Sequence, residues 1–375
     1  MRVRNAVQSV SVVTAAIIAC LLCLEVAIRV YSAWLSPRMM VLDDRLGWKH
    51  AGHVRKAFAN EDGDKFIVDQ NRYGHRGREY NLQRTTGKYR VLILGDSFTE
   101  GVQVSQEDLF SARLERMNQQ IEVLNAGVGG YGTVQEYLYY VSEGVRFRPN
   151  LLLLMFVPND LSDNCLSYYA GFGPRPYALV RDGEVEIVER LEPREFLRFT
   201  IPVPFRAVLS RHSYLYYFLN THVYQKLFAR RMRELEREDL RRTTNCGRYQ
   251  IFYWLVSRMN EMMKADGGDF AVVLIPTDED VRRGYSAAEE PILKFCNEAA
   301  LKCLQLLSRF VGERRSGTRL YFDVDIHLTR LGHAIAAEEI SSFLSHIMAS
   351  AKMYSRHGGR REYSRPAPRK LVHTE

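Results

Sequence analysis

Four short, almost wholly apolar runs, each closed by small or polar residues, limit what this chain can fold into. They are Tyr89 to Leu94 (YRVLIL), Ile121 to Leu124, Asn150 to Val157 (NLLLLMFV) and Asp269 to Ile275 (DFAVVLI). Continuous apolar and β-branched runs of this length predict strands buried on both faces. Helical spacing recurs over Asp108 to Gln119, Thr133 to Phe147 and Arg248 to Ala265. Farther on, Glu289 to Phe310 reads as one long helix, Arg319 to Phe322 as a last strand and Leu328 to Ala349 as a closing helix. Strands alternating with helices imply parallel βαβ units, hence an α/β fold: a three-layer α/β/α sandwich around a central parallel sheet.

This body occupies residues 89–350, interrupted by an insertion at 161–245. Inside the insertion, Ala178 to Arg190 alternates around Asp182-Gly183, a two-residue hairpin signal, and Phe228 to Arg242 carries charges of alternating sign that predict a solvated helix. Residues 38–88 are polar, with Trp48 and the turn Asn71-Arg72-Tyr73-Gly74, and read as a connecting segment packed on the body. Residues 351–375, with Gly358-Gly359 and Pro366-Ala-Pro368, read as a disordered basic tail.

Residues 1–37 have a different character. From Asn5 to Leu24 there is no charged residue, and 20 helical residues rise about 30 Å, the thickness of a hydrocarbon core. Glu25 and Arg29 then fall four apart on one helix face, followed by Tyr31 and Trp34, residues at home in a membrane interface. No clean cleavage site follows, and although Ile17-Ile18-Ala19-Cys20 loosely resembles a lipoprotein box, the apolar sequence continues past Cys20. One uncleaved transmembrane helix is therefore expected, touching the membrane through residues 5–35. Arg2 and Arg4 favour a cytoplasmic N-terminus, with the body on the extracytoplasmic, periplasmic side.

Composition narrows the function classes. With 46% hydrophobic and 26% charged residues the chain is not disordered, collagenous or a disulfide scaffold. Its formal charge of +8 belongs to its ends, since Lys352 to Glu375 carry seven basic and two acidic residues and Arg2 and Arg4 precede the anchor. The body is nearly neutral, so no nucleic-acid partner is expected. Of the six cysteines, Cys20 and Cys23 lie in the apolar run. Cys296 and Cys303 sit two turns apart on the long predicted helix, roughly 10 Å and beyond bridging reach. Only Cys165 and Cys246, bracketing the insertion, are placed to pair. His50 and His53 read as an incidental surface pair, and no spacing suits a metal.

Four polar segments follow predicted strands or open the helices after them. Gly95-Asp96-Ser97-Phe98-Thr99-Glu100-Gly101 places a serine at a tight strand-to-helix turn, where backbone N–H groups can receive a developing negative charge. Asn125 to Thr133 contains Gly127, Gly129, Gly130 and Gly132, a G-x-G-x-x-G spacing that raises a dinucleotide reading. Against that reading, it follows the second strand, and the first acid beyond the next strand, Asp160, is too distant for a ribose contact. Val157-Pro158-Asn159-Asp160 can aim the Asn159 amide at the same crevice. Asp323-Val324-Asp325-Ile326-His327 supplies a histidine with a carboxylate near enough to fix its tautomer. Ligands of open parallel sheets gather beyond the carboxyl ends of the strands, so all four segments meet at one place.

Together Gly95-Asp96-Ser97, Gly130, Asn159 and the Asp325/His327 pair resemble the four blocks of the SGNH, or GDSL-type, hydrolase family, over roughly Tyr89 to Ser350. The resemblance implies the family's flavodoxin-like fold, with Ser97 as nucleophile, His327 as general base and Asp325 as the acid that orients it. It also implies an oxyanion hole from the N–H groups of Ser97 and Gly130 and the Asn159 side chain, with no cofactor or metal. Two departures are visible. Many members carry the acid three residues before the histidine, which here is Val324, leaving Asp325 at minus two and Asp323 at minus four. The two-residue spacing is similar to SGNH-like proteins acting in polysaccharide O-acetylation, which favours Asp325. Val157-Pro158 also stands where glycine is common, narrowing the groove but leaving the Asn159 amide available. His333 is a lesser alternative base.

The expected function is a membrane-anchored serine ester hydrolase or O-acyltransferase acting through an acyl-enzyme on an acylated small molecule, glycan or lipid of the cell envelope. A catalytically inactive acyl-glycan-binding protein of the same fold is the alternative, and a dinucleotide-dependent enzyme a more distant one. Oligomeric state has no signal in the sequence.

Overall fold

The computed structural model describes residues 2–34, 37–169, 172–189, 201, 205, 208–209, 212–242 and 246–356. At its centre is a five-stranded parallel sheet made of β1 (Tyr89–Leu94), β2 (Ile121–Asn125), β3 (Leu151–Phe156), β4 (Asp269–Leu274) and β5 (Lys302–Gln305). Their spatial order is 5-4-3-1-2. This is the doubly wound, flavodoxin-like order, whose topological switch point lies between β1 and β3.

Alternate side chains of the strands feed two cores. Leu92, Leu94, Leu152 and Leu154 pack with Val134, Leu138, Phe252 and Leu255 from helices Thr133–Ser142 and Arg248–Ala265 on one face. Val91, Ile93, Leu151 and Leu153 pack with Phe110, Leu114, Phe310 and Ile340 from helices Phe110–Met117, Leu307–Arg315 and Arg330–Arg356 on the other. The three-layer expectation therefore holds. Arg90 is the exception inside β1: fully buried, it pairs with Glu122 at 2.7 Å and donates to the carbonyls of Asn81, Leu82, Gln83 and Phe147.

Several boundaries differ from expectation. The helix expected over Glu289 to Phe310 stops at Glu298; Ala300 turns the chain with φ of 50°, and edge strand β5 follows before a new helix at Leu307. Leu301, Leu304 and Leu307 repeat every three residues, so an edge strand and its turns mimic a helix stripe. With the helix ended, Cys296 and Cys303 come within 6.3 Å between Cα atoms and form a disulfide, contrary to the expectation of no bridge. Cys165 and Cys246, the two cysteines placed to pair, do form a disulfide, with Cα atoms 6.2 Å apart. The expected strand Arg319 to Phe322 reduces to a single bridge between Tyr321 and Leu328. The closing helix runs on to Arg356, into the expected tail, and the rest of that tail lies outside the described residues.

Residues 38–88 form two hairpins, Met40–Asp43 with Gly47–His50 and Val54–Ala59 with Lys65–Gln70. Arg76 bridges the second hairpin to the end of β2, its N–H donating to the Asn125 carbonyl at 3.2 Å. In the insertion, Tyr177–Arg181 and Glu184–Val188 form the expected hairpin, with Asp182 at φ 52° and Gly183 at φ 83° as a primed turn requires. The N-terminal helix spans Arg2–Trp34, and its Ser9–Ser32 portion is long and apolar enough to cross a membrane.

Candidate active site

The chain leaves β1 at Gly95, where a Cβ would fall 2.0 Å from Thr99 Oγ1, so only glycine permits the tight turn. Asp96 accepts from the Phe98 N–H at 2.9 Å and starts the short helix Ser97–Glu100, which Gly101 ends at φ 61°. Ser97 thus stands at the carboxyl end of β1, beside the switch point. His327, 230 residues later, places Nε2 at 2.7 Å from Ser97 Oγ. Asp325 Oδ1 bonds His327 Nδ1 and also accepts the His327 backbone N–H at 3.1 Å. Its bond to His327 holds the Asp325 carboxyl below the usual carboxylate range against the opposing effect of burial. A charged Asp325 favours the tautomer with the proton on Nδ1, leaving Nε2 to accept the serine proton.

Gly130 follows β2 with φ of 76°, and a Cβ there would lie 3.1 Å from the Tyr169 ring and 3.3 Å from Trp48. Its loop is clamped from behind. Glu100 accepts the Gly129 N–H at 2.9 Å and bonds His50 Nε2 at 2.8 Å, while Trp48 Nε1 donates to the Gly129 carbonyl at 3.0 Å. His50 is therefore a buried partner of the Ser97–Glu100 turn, not half of a surface pair, whereas His53 is exposed. The glycine spacing that raised a dinucleotide reading serves close packing: a Cβ at Gly127 would meet the Glu100 nitrogen and Thr99 at 2.6 Å.

Asn159 lies just beyond β3, and its Nδ2 donates to Asp163 at 2.9 Å and to Asp96 at 3.2 Å. Below it the site floor is acidic. Burial raises the Asp96 carboxyl to about 6 and lifts Glu136 and Asp160 well above the ordinary range. Asp163 is also raised by burial, although the buried Arg175, with Nη1 at 3.5 Å, draws it down. Among the described residues no cluster of His, Cys, Asp and Glu is arranged to hold a metal.

The structure therefore gathers Ser97, His327, Asp325, Gly130 and Asn159 at one cleft. Asp323 points away to Arg319 at 2.9 Å and is exposed. His333 is buried against Phe110, and burial lowers its pKa to about 3. Trp48, His50, Glu61 and Gln103, which sequence motifs did not single out, also support the cleft; the Gln103 side chain lies beside the His327 ring and the Asp325 carboxylate. Each is an isolated polar or aromatic residue outside any motif.

A model of the GDSL-like lipase/acylhydrolase family matches residues 93–335. No curated protein matches the sequence significantly. Solved structures with a similar course include a two-domain esterase active on acetylated mannans, at 12% identity and a TM-score of 0.38, covering 76% of this chain and 54% of that one. This chain thus spans about half the length of that esterase. A member of the lipolytic G-D-S-L family from Veillonella parvula DSM 2008 (12% identity, TM-score 0.36) is covered over 94% of its length and 67% of this chain. An acetyl xylan esterase (12% identity, TM-score 0.36) is covered over 98% of its length and 68% of this chain.

Proposed function

Since the chain belongs to the GDSL-like lipase/acylhydrolase family and is an ester-bond hydrolase, we propose that it acts as a membrane-anchored serine enzyme with Ser97, His327 and Asp325 as its triad. The observation that carries this reading is the 2.7 Å approach of His327 Nε2 to Ser97 Oγ with Asp325 on the opposite ring nitrogen. As Ser97 Oγ attacks an acyl carbonyl carbon, its proton passes to His327 Nε2 and the carbonyl electron pair moves onto oxygen. The N–H groups of Ser97 and Gly130 and the Asn159 N–H released from Asp96 receive that oxyanion, which collapses as His327 returns the proton to the departing alcohol. Water or an acceptor hydroxyl, activated by the same histidine, releases the acyl group from Ser97.

In this reading residues 1–37 anchor the chain, 38–88 join anchor to body, 89–350 form the hydrolase domain and 351–375 a basic tail. The N-terminus is cytoplasmic and the body extracytoplasmic, a placement supported by Arg2 and Arg4 and by two disulfides, which persist in oxidising compartments. The substrate is an acylated glycan or lipid of the envelope. A cavity of about 660 Å³ reaches the Ser97–Glu100 turn through Glu100 without touching Ser97 or His327, and is lined by Ile28 and Tyr31 of the anchor helix together with Trp48, Phe172, Tyr214 and Tyr217. Aromatic and aliphatic walls suit sugar faces or acyl chains.

Ser97→Ala is expected to abolish hydrolysis of a short-chain aryl ester and labelling by a fluorophosphonate. Labelling that survives at another serine overturns the assignment. A panel of acetylated glycans, with products analysed in the presence of a carbohydrate acceptor, separates hydrolysis from transfer.

A further inference from the structure

The loop that carries the triad acid has almost no packing of its own. Val324 and Ile326 on either side of Asp325 are 88% and 69% exposed. Something other than apolar burial must hold Asp325 against His327. The Phe322 N–H closes the loop on the His327 carbonyl at 3.0 Å and Arg319 pairs with Asp323 at 2.9 Å, but the backbone of the turn between is held by a side chain 264 positions earlier in the sequence. Glu61 accepts three successive backbone N–H groups, from Asp323 at 2.6 Å, Val324 at 2.9 Å and Asp325 at 2.8 Å. Arg319 adds an ion pair to the same carboxylate at 2.6 Å and a second to Asp62 at 2.9 Å.

Glu61 is itself fixed. It sits in the turn of the hairpin Val54–Ala59/Lys65–Gln70, which Asn60 closes by accepting the Asp64 N–H at 2.9 Å and the Gly63 N–H at 3.1 Å. Asn60 Nδ2 also reaches the Gln103 carbonyl at 3.3 Å, and Gln103 in turn lies against His327. The hairpin tip thus touches both the acid loop and the flank of the base. Charge-assisted bonds from three converging N–H groups are among the stronger hydrogen bonds available to an exposed loop, and the backbone bonds, that of Asp325 foremost, keep the Glu61 carboxyl below its ordinary range.

We propose that Glu61 is a positioning residue of the active site: it shapes the Asp323–Asp325 turn so that Asp325, two residues before the histidine, meets His327 Nδ1. The proposal rests on the triad reading above. It makes residues 38–88 a working part of the enzyme and gives a physical reason why an acid at minus two serves where minus three is more usual.

The test uses the full-length protein in detergent and an aryl ester. Glu61→Ala is expected to lower kcat roughly 10- to 100-fold with KM within about twofold, the signature of a disturbed base and not of lost binding. Glu61→Gln, which keeps the shape and one acceptor oxygen, is expected to fall between Glu61→Ala and the parent with an unchanged melting midpoint. In an Asp325→Ala background, Glu61→Ala should add nothing further, because the residue it positions is gone. A parental kcat in Glu61→Gln and Glu61→Ala, or losses that simply multiply with Asp325→Ala, overturns the role of Glu61 while leaving the triad standing. If Asp325→Ala itself keeps parental turnover, the triad reading fails and Glu61 falls with it.

Discussion

Asn159 donates its side-chain amide to the carboxylate of Asp163, one helical turn onward, at 2.9 Å. The same nitrogen lies 3.2 Å from Asp96, the residue before Ser97. Asp163 thus holds one N–H of the amide, and the other, on the longer bond to Asp96, must exchange that carboxylate for an oxyanion when substrate arrives. Asn159→Ala is expected to lower kcat by about 10² to 10³. Asp163→Asn retains an acceptor oxygen for the amide and should cost less than about tenfold. Steady-state kinetics on an aryl ester distinguish the two, and equal losses would place the effect in the helix Asp160–Asp163 and not in the donor.

Glu136 is fully buried on the helix after the glycine loop, and neither carboxyl oxygen has a hydrogen-bond partner. Burial, reinforced by Asp96 and Asp163, raises its pKa well above the ordinary value. A raised acid binds a proton in the native state that the unfolded chain has already released, so its contribution to stability falls as pH rises above the unfolded value. Below that value, near 4.5, both states are protonated and glutamate and glutamine behave alike. Glu136→Gln is therefore expected to stabilise the fold by about 1 kcal/mol or more at pH 8 and to change little at pH 4. Urea midpoints at the two pH values check this; an equal shift at both would assign the effect to packing.

The two disulfides should differ in weight. Cys165–Cys246 closes 81 residues of sequence, including the insertion, whereas Cys296–Cys303 closes seven. On the chain-entropy model these correspond to about 4.5 and 2.4 kcal/mol. Replacing Cys165 and Cys246 with alanine is expected to lower the urea midpoint more than the same change at Cys296 and Cys303. The reverse order would indicate that the edge strand β5 depends on its disulfide more than the insertion does.

The central architecture was legible because it rests on local pattern. Buried parallel strands are uninterrupted apolar runs, and the residues after them, Ser97, Gly130 and Asn159, fall at the carboxyl edge that the 5-4-3-1-2 order brings together. Edge strand β5 was not legible, since its residues are only half-buried and Leu301, Leu304 and Leu307 share a helix period. Nor were the supports of the site. Trp48 reaches Gly129 across 81 residues, His50 reaches Glu100 across 50, and Glu61 reaches Asp325 across 264. A lone side chain in a polar segment has no periodicity, and its partner is set by tertiary packing alone. Arg90 shows the same limit from within a strand, where its run looked apolar and its charge is answered by Glu122 and four carbonyls from other segments.

Glu25 gives the N-terminal helix a role in holding the insertion. Its carboxylate accepts from the Ser213 hydroxyl at 2.7 Å and from the Tyr214 and Leu215 N–H groups at 2.9 Å each, capping the insertion helix Tyr214–Phe218. Arg29 pairs with Glu25 at 2.7 Å and donates to the His212 carbonyl at 2.8 Å, and Arg38 lies 3.8 Å over the Tyr217 ring. Residues 9–24 are exposed, while the turn from Glu25 to Arg29 docks the insertion. An acidic cap contributes about 1 kcal/mol to a helix, so Glu25→Leu is expected to ease opening of residues 212–218 about fivefold or more. Limited proteolysis of the membrane-inserted protein reads that opening when reclosing outpaces cleavage. Cleavage near Tyr214 should accelerate with the melting midpoint of the body unchanged, and Glu25→Gln should lie between. Unchanged cleavage in Glu25→Leu would mean that Arg29, Arg38 and the aromatic contacts hold the insertion without the cap.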